Sequence, residues 1–285
     1  MAERILEKSV EIERSIIKKY RKSIWNPFVG AVKEYGLINE GDRIAVCISG
    51  GKDSVLLAKC MEQLCRHSEA PFTLKFITMD PGYKKENREK IEKNARLLNI
   101  PLEIYDSDIF AVANSAGGSP CYLCARMRRG WLYNKAKELG CNKIALGHLF
   151  DDAIETWLLS MLWSGEAKTM LPKLKSDNFP DMELIRPLYK VKEEAIIKWA
   201  KANELSFLNC ACRFTEKLGS AENTVDREEI SKRYKCKELI RELKKEDDLV
   251  DINIFRSFHK VNLNTIIGYR KIGEDHSFLD EYDEI

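Results

Sequence analysis

The chain has 285 residues, 44% of them hydrophobic and 32% charged, which describes a soluble globular protein with one sizeable core plus helical additions. The 47 basic and 45 acidic residues nearly cancel to +2, so net charge by itself assigns no partner. Met1 to Lys8 lacks the apolar run of a signal peptide and no stretch approaches the roughly 20 residues that span a bilayer, so no membrane partner and a cytoplasmic location are expected.

Residues 3 to 36 read as a helical extension with Ile5, Ile12, Ile16, Ile24, Phe28 and Val32 among its apolar positions and a break at Asn26-Pro27. Alternation then sets in: strand 43–48, helix 53–66, strand 72–79, helix 84–98, strand 102–105, helix 121–139, strand 143–147, helix 152–164, a strand near 183–187 and a helix at 191–203. Such alternation predicts an α/β fold, a doubly wound parallel sheet covered on both faces, with ligands beyond the carboxyl ends of the strands. The expected organisation is a helical extension over 1–40, the sheet domain over 41–210 and a charge-rich helical segment over 211–285. Its last stretch, Glu274 to Ile285, is acidic and expected to be disordered.

Between the first strand and its helix stand Ser49-Gly50-Gly51-Lys52-Asp53-Ser54. The glycines let successive N–H groups turn toward an anion, and the helix adds its positive end, so the loop suits phosphate. A Walker A loop needs Ser or Thr directly after Gly-Lys to hold magnesium, and Asp53 intervenes. The plainer reading is a strand-to-helix turn with Asp53 or Ser54 as N-cap.

Three more groups fall at strand ends or beyond them. Cys121 and Cys124 follow Ser119-Pro120 near a helix N-terminus with Arg126 and Arg128 close in sequence, a setting that favours thiolates for a metal, an iron–sulfur cluster or a redox pair. Cys210 and Cys212 lie in a loop after the last sheet element, and the four together also suit a structural zinc ion. Cys47, Cys60, Cys65, Cys141 and Cys236 stand alone, and the odd count of 9 in a cytoplasmic chain does not look like a disulfide framework. Gly147-His148-Leu-Phe-Asp151-Asp152 offers a glycine for close approach to a ligand and paired carboxylates for magnesium or nucleotide, while Asp152 with Glu155 also fits a capping box with Asp152 as N-cap. His148 alone is a weak signal. Basic clusters at Lys18 to Lys22, Lys84 to Lys93 and Arg126 to Arg129 suit either nucleic-acid phosphates or a solvated helix face.

The hexapeptide Ser49 to Ser54 resembles the signature of the PP-loop ATP pyrophosphatases, which grip pyrophosphate and transfer AMP to a carbonyl or amide oxygen. With Cys121-Tyr-Leu-Cys124-Ala-Arg-Met-Arg-Arg-Gly130, Gly147 to Asp152 and Ile185-Arg-Pro-Leu188, the span from about 15 to 215 is similar in order and spacing to the tRNA 2-thiocytidine biosynthesis proteins. That resemblance implies an ATP-dependent tRNA thiolase that adenylates the C2 oxygen of an anticodon-loop cytidine. Sulfur carried on an open iron of an oxygen-sensitive [4Fe-4S] cluster then displaces AMP. It implies ATP and Mg2+ on Ser49, Gly50, Gly51, Lys52, Asp53, Ser54, Asp80, Gly147 and His148, and catalysis by Asp53, Asp151 and Asp152 with Cys121, Cys124 and Cys212 as cluster ligands. Cys210 competes for the third ligand, because Cys210-Ala-Cys212-Arg-Phe-Thr replaces the family's Cys-x-x-Cys-Gly-Ser-Gln. The implied partners are tRNA, a sulfur donor such as a cysteine desulfurase or inorganic sulfide, and a second copy in a homodimer. The 2-thiouridine-forming enzymes carry terminal zinc modules that this chain lacks, which favours the cytidine branch. The alternatives are 2-thiouridine synthesis, or another adenylating sulfur transferase or amidating enzyme with a structural zinc site. A nucleotide-sensing RNA-binding module is a further, non-enzymatic one.

Overall fold

A computed structural model describes residues 2–109, 120–208 and 224–284. Strand β1 (Arg43–Cys47) buries Ile44, Ala45, Val46 and Cys47 without alternation, as a strand covered on both faces must. It pairs in parallel with β2 (Thr73–Asp80) on one side and β4 (Lys143–Ala145) on the other. Beyond β2 lies β3 (Leu102–Asp106), and beyond β4 lies β6 (Glu183–Ile185), both parallel. A short antiparallel edge strand, β5 (Lys173–Lys175), completes a six-stranded sheet of order β3-β2-β1-β4-β6-β5. The doubly wound parallel sheet is therefore present; β5 was not expected, because three residues of Lys-Leu-Lys carry no strand signal of their own. The chain winds outward from β1 to β3 and returns to β4 on the other flank. This opens a crevice at the carboxyl ends of β1 and β4.

Alternate residues of β1 feed two cores. Ile44 and Val46 pack with helix α3 (Lys52–His67), whose Val55, Leu56, Leu57, Cys60 and Met61 are all buried, and with Ile196 and Trp199 of α7 (Glu193–Ala202). Ala45 and Cys47 face Tyr133 and Ala136 of α5 (Pro120–Glu138). Helix α4 (Lys85–Leu97) and α6 (Phe150–Ser164) follow β2 and β4.

The N-terminal extension joins the first core through Ile12, Ile16, Ile24 and Phe28. Its helix breaks earlier than expected, between α1 (Ala2–Ile17) and a π-helical turn at Arg21–Trp25. Pro27 does not end a helix but sits in the first turn of α2 (Asn26–Glu34), where its missing N–H has no partner to lose. Buried Lys59 ties α3 to its neighbours, donating to Glu62 at 2.6 Å and to the Leu98 carbonyl at 3.0 Å and pairing with Glu13 of α1 at 3.1 Å.

On the far flank α8 (Thr224–Glu246) and α9 (Val250–Ser257) pack on α6, with Ile240 against Phe150 and Ile154 and the Phe255 ring 4.5 Å from that of Phe150. The acidic end is not disordered. Residues Gly268–Lys271 (β7) and Glu274–Ser277 (β8) form a hairpin turned at Ile272 and Gly273, both at positive φ, and a 3-10 turn follows at Phe278–Glu284. Asp275 there accepts two hydrogen bonds from Arg270, at 2.6 and 3.0 Å, so acidic composition concealed a paired cross-strand contact. Among the described residues no helix is long and apolar enough to cross a membrane.

Candidate functional site

The loop after β1 is built by two residues. Gly50 has φ +84° and a Cβ there would lie 2.6 Å from the Ile91 side chain, so only glycine serves. Ser54 closes the loop: its hydroxyl accepts from the Ser49 N–H at 3.1 Å and donates to the Gly51 carbonyl at 3.0 Å. Helix α3 starts at Lys52 with Gly51 at its N-cap and no side-chain cap, so neither Asp53 nor Ser54 plays the capping role of the plainer reading. The first amides of α3 thus remain available to an anion.

A cavity of about 270 Å³ opens beside this loop at the β1/β4 crevice, lined by Ser49, Asp53, Ser54, Gly147 and His148 together with Tyr83, Arg128 and apolar residues of the strands. One Asp53 oxygen lies 3.2 Å from Lys52 Nζ; the other is buried with no hydrogen-bond partner. Burial pushes the Asp53 carboxyl up to about 6, against the pull of Lys52, and the charges of Asp152 and Glu193 add to the rise. His148 Nδ1 is likewise buried without a partner, and burial followed by the Arg186 charge brings its pKa down to about 4, so the ring is neutral at physiological pH. The glycine at 147 is required by the packing itself: a Cβ there would stand 3.0 Å from Ser54 N and 3.1 Å from the Asp53 carbonyl carbon.

The two carboxylates after β4 point elsewhere. Helix α6 begins at Phe150, two residues earlier than expected, so Asp152 is its third residue and accepts from the Leu149 N–H at 2.8 Å instead of standing at the N-cap. Asp151 accepts from the Glu193 N–H at 2.6 Å, joining the starts of α6 and α7. Neither lines the 270 Å³ cavity; Asp151 lines a second cavity of about 340 Å³ with Glu155, Glu193 and Lys237. Asp80 ends β2 at the same sheet edge but is committed to its own turn, accepting from the Gly82 and Tyr83 N–H groups at 2.9 and 2.7 Å and from Arg88 at 3.0 Å.

Cys121 and Cys124 fall in the first two turns of α5, with their side chains outside the described residues, as are Cys210 and Cys212 altogether. The approach to Cys210 is described: Leu208 N–H donates to the Gly50 carbonyl at 3.2 Å, so this segment leaves directly from the phosphate loop. Cys47, Cys60, Cys65, Cys141 and Cys236 are free, and burial raises each thiol, Cys47 to about 12. They are poor thiolates, which leaves the remaining four as the donors suited to iron or zinc.

The PP-loop domain family matches residues 15–215, the span of the resemblance carried by the motifs. The chain is 38% identical over 243 residues to the tRNA-cytidine(32) 2-sulfurtransferase of Geobacter sulfurreducens, covering 84% of this chain and 90% of that protein. It is 36% identical over 247 residues to that of Geobacter metallireducens, covering 86% and 91%. This chain belongs to the PP-loop family, in its tRNA-cytidine(32) 2-sulfurtransferase branch. The U34-tRNA thiolase NcsA from Methanococcus maripaludis with its [4Fe-4S] cluster shares the fold, with a TM-score of 0.63 at 21% identity over 87% of this chain and 80% of that one.

Within this PP-loop fold the structure gives places to residues to which the motifs assigned no role. Arg186, directly after β6, is buried with its Nε unpartnered and acts electrostatically on His148. Lys52 Nζ pairs with Glu193 at 2.8 Å, and Glu193 with Lys237 at 2.6 Å. Arg186 stood inside the Ile185-Arg-Pro-Leu188 motif and so had a signal. Glu193 and Lys237 had none, since acidic residues opening a helix and lysines along one are ordinary.

Proposed function

We propose that this PP-loop protein is an ATP-dependent tRNA sulfurtransferase that converts an anticodon-loop cytidine to 2-thiocytidine, as the names of its relatives suggest. The observation that carries the reading is the uncapped start of α3 beside a buried, unpartnered Asp53 oxygen in the β1/β4 crevice, which suits phosphate and its counter-cation together.

In this reading the C2 oxygen of the cytidine attacks the α-phosphorus of ATP, an O–P bond forms and pyrophosphate leaves. Lys52, the loop N–H groups and the α3 terminus hold the departing pyrophosphate and stabilise the charge it gains. A sulfur nucleophile at the oxidation level of sulfide then adds to C2, and the C2–O bond breaks to release AMP. Inorganic sulfide supplies it directly; sulfur from a cysteine desulfurase arrives as a persulfide and reaches that level only with two electrons from a thiol reductant. Asp53 is the carboxylate for Mg2+; an ion held mainly by substrate phosphates needs only one or two protein carboxylates, in keeping with the absence of any cluster of three metal-binding side chains among the described residues. Held there, Mg2+ would neutralise charge on the phosphates. Neutral His148 and Gly147 border the nucleotide, and Asp152 contributes field to Asp53. Cys121, Cys124 and Cys212 are the thiolates that would hold a [4Fe-4S] cluster, which would supply iron chemistry for handling sulfur. Asp80 holds the turn that brings Tyr83 to the cavity wall.

Nucleoside mass spectrometry of tRNA from cells with and without the gene tests the substrate. Loss of 2-thiocytidine on deletion, restored by the wild-type gene, is expected; an unchanged thionucleoside profile removes tRNA as the target. Zinc in place of iron after anaerobic reconstitution removes the cluster.

A further inference from the structure

Lys52, the lysine of the phosphate loop, does not stand alone. It lies between Asp53 at 3.2 Å and Glu193 at 2.8 Å, and the second oxygen of Glu193 takes Lys237 of α8 at 2.6 Å. Glu193 is pinned at its backbone, its N–H donating to Asp151 at 2.6 Å, so its carboxylate is a fixed post between two ammonium groups. One turn earlier on α8, Arg233 stands 3.8 Å from Asp152 and 3.6 Å from Glu155. The helix therefore sets two cations, four residues apart, against the acidic residues that flank the phosphate loop. All of α8 lies beyond residue 215, where the PP-loop match ends.

We propose that Glu193 and Lys237 are a positioning pair for Lys52, so that the C-terminal helix completes the phosphate site from outside the PP-loop domain. The proposal rests on the reading of Lys52 as a phosphate ligand. A carboxylate shared between two ammonium groups holds each less tightly than it would hold one. Lys237 thus keeps Glu193 from capturing Lys52 outright, while Glu193 keeps Lys52 aimed along the loop. Arriving phosphate oxygens exchange with Glu193 for the lysine, and Glu193 remains neutralised by Lys237 during the exchange. Burial pushes the Glu193 carboxyl up, but hydrogen bonds from Lys237 and Lys52 outweigh it and hold the group below its ordinary value, so it is ionised throughout the working range.

The test is a double-mutant cycle on the full chain, reading affinity for α,β-methylene ATP by titration calorimetry. Lys237→Ala is expected to weaken binding by about five-fold, the scale of one partly exposed ion pair, because Glu193 then closes on Lys52. In a Glu193→Gln background the same change should have no effect, and Lys237→Arg should restore wild-type affinity. Glu193→Gln alone should tighten the analogue while slowing AMP formation, lowering KM for ATP and kcat together. Equal effects of Lys237→Ala in both backgrounds, or none in either, would overturn the pair. Lys52→Ala binding the analogue as tightly as wild type would instead overturn the phosphate role of Lys52 itself.

Discussion

The two ends of the central sheet are chemically opposite. At the amino end Lys143 and Asp42, both buried, satisfy each other: the ammonium pairs with Asp42 at 2.7 Å and donates to the Leu37 carbonyl at 3.0 Å. Asp42 also accepts from the Asn39 N–H at 2.7 Å and from the Asn142 amide at 2.8 Å. At the carboxyl end Asp53 Oδ1, His148 Nδ1 and Arg186 Nε are buried with no partner. Among the described residues only Trp199 Nε1 and Asp251 Oδ1 are comparable away from that edge. Since folding alone selects for satisfied buried groups, the concentration of unsatisfied ones at one edge marks where a ligand supplies the missing bonds.

Removing the key group at each end should separate activity from stability. Asp53→Ala at the carboxyl end is expected to lower tRNA-dependent AMP formation by about a thousand-fold, roughly 4 kcal/mol in the barrier, with thermal unfolding unchanged or slightly raised. AMP release at the wild-type rate would take Asp53 out of the mechanism. Asp42→Ala at the amino end should do the reverse. It leaves Lys143 buried without its main counter-charge and should cost about 3 kcal/mol in chemical denaturation, while ATP affinity of the folded protein stays at the wild-type value. A large loss of affinity in that variant would erase the contrast between the two ends.

Gly147→Ala makes a smaller change that tests how tightly the carboxyl end is assembled. The added methyl meets backbone at 3.0 and 3.1 Å at the start of α3, so the helix must shift by a few tenths of an ångström. About 1–2 kcal/mol of stability and a weaker KM for ATP are expected. Unaltered kinetics would show that the phosphate loop tolerates displacement.

What the sequence made readable follows the same division. Gly50 and the loop around Asp53 were readable because a phosphate loop is a local matter of spacing, whereas the helix–strand approach at Gly147 joins residues far apart in sequence and was not. The parallel sheet was readable because apolar runs and helical periods alternate. The start of α6 lies two residues before the expected one because Leu149 and Phe150 give no start signal; Phe150 enters a core with Ile240 and Phe255, far away in sequence. Glu193 reaches Lys52 across a separation of 141 residues and Lys237 across 44, and no periodicity encodes such convergence. The tail hairpin was hidden by composition, since its acidic strand becomes intelligible only opposite Tyr269 and Arg270.

An effect of similar size concerns an acid in the wall of the 340 Å³ cavity. Glu155 is buried at 6% exposure; burial and then the Asp152 charge push its carboxyl up to about 7, with Lys237 and Arg233 only partly offsetting them. Its folded value lies above its ordinary 4.5, so the folded state binds the proton more tightly than the unfolded one. This contribution to stability is therefore complete below pH 4.5, is lost as pH rises toward 7, and stays lost above it. Glu155→Gln keeps the shape and removes the titration. The variant should match wild type near pH 4 and exceed it by about 1–2 kcal/mol at pH 8 in urea unfolding, the full shift being discounted for the nearby cations. If instead the variant is less stable at pH 8, the Arg233 pair dominates at this position, and the unsatisfied character of the carboxyl edge does not extend as far as α6.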